Sequence, residues 1–257
     1  MRSIFVFLLS IFSFSLASNA DDQTVRLTIG DWKPFIEQRD EAAHGIAVSV
    51  VEAAFQESDY SVEWGFFPWA RAYALSEVGS WDGSAVWYHS EKRAEGFLYS
   101  DPVFTFQQAL VCHNDTDPNW ETFEDLLSRR IGSLFFNEHP HIGNFLKDAN
   151  KPPQLFPSYR TLYNSLASNR IDCIIIHPVA HKYFLDEFFP DQVIPLRIAS
   201  KEFPPAHLSL IVSKRAKNAE RLIESFNQGL RNIRTSGLYT EIVTQFPYFT
   251  AENLPLE

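Results

Sequence analysis

Val25, Leu27 and Ile29 alternate with polar residues across Thr24 to Ile29, the period of a half-buried strand, and Gly30 comes next as a turn. From Gly45 the apolar residues Ile46, Val50, Val51, Ala54 and Phe55 recur at helical spacing. They predict a helix with one buried face that ends near Ser58. Ser61 to Phe67 reads as a second strand. Pro68 is placed for the first turn of a helix that runs to Val78, with Gly79 as its stop, and Asp82 to Tyr88 reads as a third strand. Strand, helix, strand, helix, strand is the order of an α/β layer with parallel strands.

The second stretch repeats this logic. Arg130 to Leu134 is strand-like, Ser158 caps a helix whose face is Tyr159, Leu162, Tyr163 and Leu166, and Cys173 to Ile176 is continuously apolar, as suits a strand buried on both faces. Val193 to Leu196 and Leu208 to Val212 read as short strands. A long helix from Ala216 to Thr235 carries Leu222, Ile223, Phe226, Leu230 and Ile233 on one face, and a closing helix, Leu238 to Phe246, stops before Pro247. With only ten glycines and no low-complexity tract or repeat, the parts are joined by structured crossings.

The amino terminus changes the picture of where this chain works. Arg2, an apolar run from Ile4 to Leu16 and the small residues Ala17, Ser18 and Ala20 form a secretory signal peptide, with cleavage expected after Ala20. The run is shorter than the roughly 20 apolar residues of a membrane span. The mature chain is long enough for one large or two small domains. A formal charge of −10 argues against nucleic acid and anionic membrane as partners, because both reward basic patches. At 45% hydrophobic and 21% charged the chain is ordinarily globular, but 15% aromatic is high. Cys112 and Cys173 each sit in an apolar strand-like run, and in an oxidising compartment they form either one disulfide or two buried thiols.

Trp32-Lys33-Pro34-Phe35 after the first strand, Gly45 opening a helix, Asp82 beginning a strand, and Ser90-Glu91-Lys92-Arg93 before Phe97-Leu98-Tyr99-Ser100-Asp101-Pro102 fall in a familiar order. In this the chain resembles the family 3 extracellular solute-binding proteins over essentially its whole mature length. The resemblance implies an α/β, two-lobed type II periplasmic-binding fold, each lobe a mixed, mostly parallel sheet flanked by helices, with two hinge crossings. Residues 21–106 and 205–257 would form lobe I and residues 107–204 lobe II, with Phe104 to His113 and Ala206 to Val212 as crossing segments. It further implies a monomeric periplasmic protein that captures a small polar solute, an amino acid or related small carboxylate, for an inner-membrane ABC permease. No cofactor is implied.

Within that likeness, Arg93 matches the arginine that receives a ligand carboxylate, a task suited to a planar fork of donors. Trp32 matches an aromatic that stacks on the ligand, Phe35 belongs to the same motif, and Trp69 sits close to a second aromatic position. Arg71 is within reach of either the cleft or a nearby carboxylate. Trp87 and Tyr88 end the strand leading to Arg93, and strand carboxyl ends are where α/β sheets present ligand contacts. His177 stands where the family's amino-acid binders place an aspartate for the ligand ammonium. A neutral imidazole can accept one hydrogen bond but carries no negative charge. Phe135-Phe136-Asn137 also lacks the Gly-Thr that meets the ligand carboxylate in the family.

Two other readings are open to the residues. His139 with His141, and His177 with His181 at helical spacing, are conceivable metal ligands, but Pro178 interrupts the start and no His-Glu-x-x-His pattern is present. Some relatives of this fold are dehydratases, and Glu138, His139 and His177 would supply acid and base groups to a periplasmic enzyme. A ligand sensor that reports to a membrane receptor is the third class.

Overall fold

A computed structural model describes residues 23–135 and 139–249. The signal peptide expected at residues 1–20, and Phe136, Asn137 and Glu138, lie outside the described residues.

Twelve strands and eight α-helices succeed one another along those residues. The first five-stranded sheet has the order β4-β1-β5-β12-β6, from β1 (Thr24–Ile29), β4 (Ser61–Phe66), β5 (Gly83–Tyr88), β6 (Phe97–Phe106) and β12 (Ala206–Ser213). The β1, β4 and β5 part is parallel, because α1 (Ile46–Gln56) and α2 (Trp69–Glu77) return the chain each time. β12 enters antiparallel between β5 and β6. β2 (Glu37–Arg39) and β3 (Ala42–His44) form a separate small hairpin.

The second sheet has the order β11-β7-β10-β8-β9, from β7 (Ala109–His113), β8 (Ile131–Leu134), β9 (Gln154–Phe156), β10 (Cys173–Ile176) and β11 (Leu196–Glu202). Parallel pairing holds for β10-β8 and β8-β9, and antiparallel pairing for β10-β7 and β11-β7. α4 (Gly143–Asp148), α5 (Tyr159–Ala167) and α6 (Pro178–Phe188) flank it. Ser158 caps α5 by accepting from the Thr161 backbone N–H at 3.2 Å.

Side-chain alternation splits this sheet cleanly. Val111, Ile174 and Ile176 face α5 and α6 and belong to one core that is continuous with the first sheet. Leu110, Cys112, Cys173 and Ile175 face the other way, into a second cluster with Trp120, Leu126 and Phe203. Cys112 and Cys173 lie opposite each other in the β7-β10 ladder and form a disulfide, which decides the pairing left open by the sequence.

The chain passes between sheets twice, at Gln107–Gln108 from β6 to β7 and at residues 203–205 from β11 to β12. The second passage therefore precedes the expected Ala206 to Val212 segment, which is wholly strand of the first sheet. The two passages touch where Phe203 N–H donates to the Gln108 carbonyl at 2.8 Å, and the second is also held by His141, ahead of α4, whose Nε2 pairs with the Pro205 carbonyl at 3.0 Å. The first sheet is closed off by α7 (Ala219–Ser236), packed on α1, and by α8 (Leu238–Thr244).

Two expectations from the sequence shift. The strand expected at Val193 to Leu196 begins only at Leu196 and runs to Glu202, with Val193 fully exposed ahead of it. Pro178 does not interrupt a helix but opens α6 as its first residue, with His177 as the cap.

Candidate functional site

A cleft of about 560 Å³ opens where the carboxyl ends of β5 and β10 and the first turns of α2, α5 and α6 converge. Its size is that of a small-molecule site. Trp32, Trp69, Tyr73, Trp87, Tyr88, Phe135 and Tyr159 supply aromatic surface, and Ser90, Lys92, Arg93, Gln108 and His177 supply polar groups.

Trp32 stands at the start of a tight turn in which Phe35 and Ile36 N–H both donate to its carbonyl, at 2.9 and 3.0 Å. This turn aims the two rings of the motif differently. Trp32 lines the cleft, whereas Phe35 is fully buried behind it, with ring centroids 4.3 Å apart. Phe35 thus supports Trp32 and His177 (5.3 Å, edge-on) instead of meeting a solute itself. Trp69, the first residue of α2, is fixed by its Nε1–H donating to the Asp31 carbonyl at 2.9 Å. Its ring lies so close to Gly30 that a Cβ there would fall 2.7 Å from it, so only glycine ends β1 without displacing the ring.

Trp87 meets Trp69 edge-on at 5.0 Å and is pinned by its Nε1–H donating to Ser84 Oγ at 2.9 Å. The Arg93 guanidinium lies over the Trp87 ring at 4.8 Å, and its Nη1 donates to the Tyr88 carbonyl at 2.8 Å. Cation–π contact and a backbone acceptor therefore hold Arg93 at the wall. Arg71 goes elsewhere: exposed on α2 outside the cleft, it lies over Phe67 at 5.1 Å. α2 instead presents Tyr73, one turn beyond Trp69, a neighbour that i, i+4 spacing makes findable in the sequence.

From the second sheet, β10 delivers His177 to the cap of α6. Its Nδ1 accepts from the Val179 backbone N–H at 3.1 Å, and its ring packs at 4.4 Å from Phe106. Burial pushes its pKa down to about 3, so the imidazole is neutral. Tyr159 opens α5, packs on the core by stacking on Phe184 with ring centroids 4.0 Å apart, and also lines the cleft. Burial, with Asp31 second, pushes its phenol pKa up, and burial, with Tyr159 second, does the same for Tyr88, so both phenols are protonated. Gln108, at the passage between sheets, has its Oε1 3.4 Å from His139 Nδ1, while His139 Nε2 pairs with Ser133 Oγ at 2.8 Å. His139 is buried and burial pushes its pKa down to about 4.

His181 does not join His177 toward a shared ligand but pairs through Nδ1 with the Tyr163 hydroxyl at 2.8 Å. Among the described residues no group of three or more His, Cys, Asp or Glu side chains is arranged to hold a metal ion. No helix among them is long and apolar enough to cross a membrane.

Two sheets joined by two adjacent passages, with an aromatic and cationic cleft between them, define a two-lobed solute-binding architecture. The chain belongs to the bacterial extracellular solute-binding proteins, family 3, which it matches over residues 26–249. No curated protein sequence matches it at a significant level. Among solved structures it is similar to an ancestral arginine-binding protein bound to arginine (20% identity, 88% of this chain and 98% of that one, TM-score 0.70). It is also similar to a histidine kinase sensor domain that itself resembles periplasmic binding proteins (19%, 87% and 96%, TM-score 0.72). A third is the amino-acid ABC transporter substrate-binding protein AbpA of Streptococcus pneumoniae bound to L-arginine (18%, 87% and 94%, TM-score 0.66). At these identities the likeness is one of fold.

Proposed function

We propose that this chain is exported, loses its signal peptide after Ala20, and works as a periplasmic monomer that captures a small polar solute for an inner-membrane ABC permease. The observation that carries this reading is the placement of Arg93 over Trp87 at the wall of an aromatic cleft that the two sheets share. Lobe I comprises residues 21–106 and 205–257, and lobe II residues 107–204. The solute docks first against Trp32, Trp69, Trp87 and Arg93, and closure about the paired passages brings Tyr159 and His177 over it. The closed form is what the permease recognises.

The reading includes no turnover. The imidazoles an enzyme would enlist are committed, His139 to Ser133 and Gln108, and His177 to the cap of α6. The fold shared with a histidine kinase sensor domain favours a second reading, in which the closed form signals to a membrane receptor.

The test is a thermal-shift screen of the purified protein against amino acids, small carboxylates and sugars, since a solute that binds only the native state raises its melting temperature. Arg93→Ala is expected to weaken any carboxylate hit by about 30-fold or more, the scale of a lost charged hydrogen bond. A hit without an acid group that binds Arg93→Ala normally overturns the anchor, and chemical conversion of the hit overturns the binding role.

A further inference from the structure

The chain makes one more turn after α8 has closed off the first sheet. Phe249 N–H donates to the Phe246 carbonyl at 3.2 Å, with Pro247 and Tyr248 between them, and the φ of Tyr248 is 80°. Proline second and a positive φ third is the pattern of a type II turn, whose third position favours glycine. A tyrosine held there is strained, and contacts of its side chain must offset the cost.

Those contacts lie on the helix that flanks the second sheet. The Tyr248 ring meets Tyr183 of α6 edge-on at 5.6 Å, and the Lys182 ammonium lies over it at 5.6 Å. Its hydroxyl hydrogen-bonds with the Asp186 carboxylate, to which Lys182 also donates at 2.9 Å. The next residue points the other way. Phe249 is buried, edge-on and 5.8 Å from Phe35, the ring that backs both Trp32 and His177. Two successive rings of one turn thus reach α6 and the support of the cleft. Working against them, Glu187 near the end of α6 is close enough to Asp31, just ahead of Trp32, for the two carboxylates to repel each other.

Resting on the two-lobed closure reading above, we infer that the Phe246 to Phe249 turn is a noncovalent clasp between the lobes. Tyr248 grips α6, Phe249 anchors the turn behind the cleft, and together they set how the lobes rest before a solute arrives. A clasp of this kind tunes apparent affinity, which scales with the fraction of protein already in the binding arrangement.

The experiment uses Tyr248→Gly, which removes the ring while giving the turn the residue its backbone favours. Wild type and variant are compared without solute by hydrogen exchange and small-angle X-ray scattering. The amides of Lys182 to Phe188 are expected to lose protection at least about tenfold, and the radius of gyration to shift, while α7 and α8 keep their protection. Lys182→Ala and Tyr183→Ala approach the same contact from α6 and are expected to shift the scattering in the same direction. Combining Tyr248→Gly with Tyr183→Ala should go little beyond the larger single effect, because both remove one contact. Unchanged scattering in Tyr248→Gly overturns the clasp, as does loss of protection shared equally by α7 and α8, or fully additive effects of the pair. No solute enters the measurement, so silence in the solute screen beside the expected shift would overturn the binding reading alone, and a hit in that screen beside unchanged scattering would overturn the clasp alone.

Discussion

The two halves of the molecule build their share of the cleft by different means. On the first sheet the wall is assembled by packing of neighbours in turn: Gly30 makes room for Trp69, Trp69 meets Trp87, and Trp87 carries Arg93. Behind it α1 and α7 pack at close range. The second sheet has shorter strands, a disulfide across its β7-β10 ladder, and three buried or nearly buried neutral imidazoles, His139, His177 and His181. The first half holds its site by packing, and the second by a covalent link and by groups whose charge state depends on burial.

That contrast can be broken in order of expected effect. Replacing both Cys112 and Cys173 by Ala opens a link that spans 61 residues and is expected to cost about 4 kcal/mol in the chain-entropy account. Hydrogen exchange should place the loss in β7, β8 and β10, and equal deprotection of β1 and β5 would contradict the division. The counterpart on the first side is Gly229→Ala. A Cβ there would lie 1.8 Å from the Ala54 carbonyl oxygen, so α7 must shift from α1, at about 2–3 kcal/mol by urea unfolding.

The third test is a pH dependence, of which the single His181→Gln variant removes only one group's share. The folded chain holds His177 at about 3 and His139 and His181 at about 4, all below the ordinary 6.5, chiefly by desolvation. The unfolded chain therefore takes up protons that the folded one refuses. The stability from these groups is present above about pH 6.5 and is lost as pH falls toward about 3. Melting temperature should drop across this window, and His181→Gln should flatten the drop, with the early loss of protection in the second sheet. A wild-type curve no steeper than that of the variant removes the imidazoles from the comparison.

Much of the first half was legible because its elements are amphipathic or buried on both faces. β1, α1, β4, α2 and β5 announce themselves by period alone, and β10 by its unbroken apolar run. What sequence reasoning missed lies at edges. β6 contains Asp101 and Pro102, which an edge strand tolerates and a central one does not, and β11 is mostly exposed and polar. Among site residues, the ordered motifs led to Trp32, Trp69, Trp87, Tyr88, Arg93 and His177, all of which line the cleft. Phe35 and Arg71 do not, because a tight turn and a helix face send neighbours in sequence in opposite directions. The tautomer of His177 was out of reach, since it depends on a backbone N–H two residues on that becomes a donor only once α6 forms.

The alternation of β7 and β10 has a further consequence. Cys112 and Cys173 face Trp120 and Leu126, while Ile176, three residues after Cys173, faces the cleft. The disulfide and the cleft are thereby insulated from each other by the thickness of one sheet. In the exported binding protein proposed above, thiol oxidation would work on the face opposite the one that meets a solute.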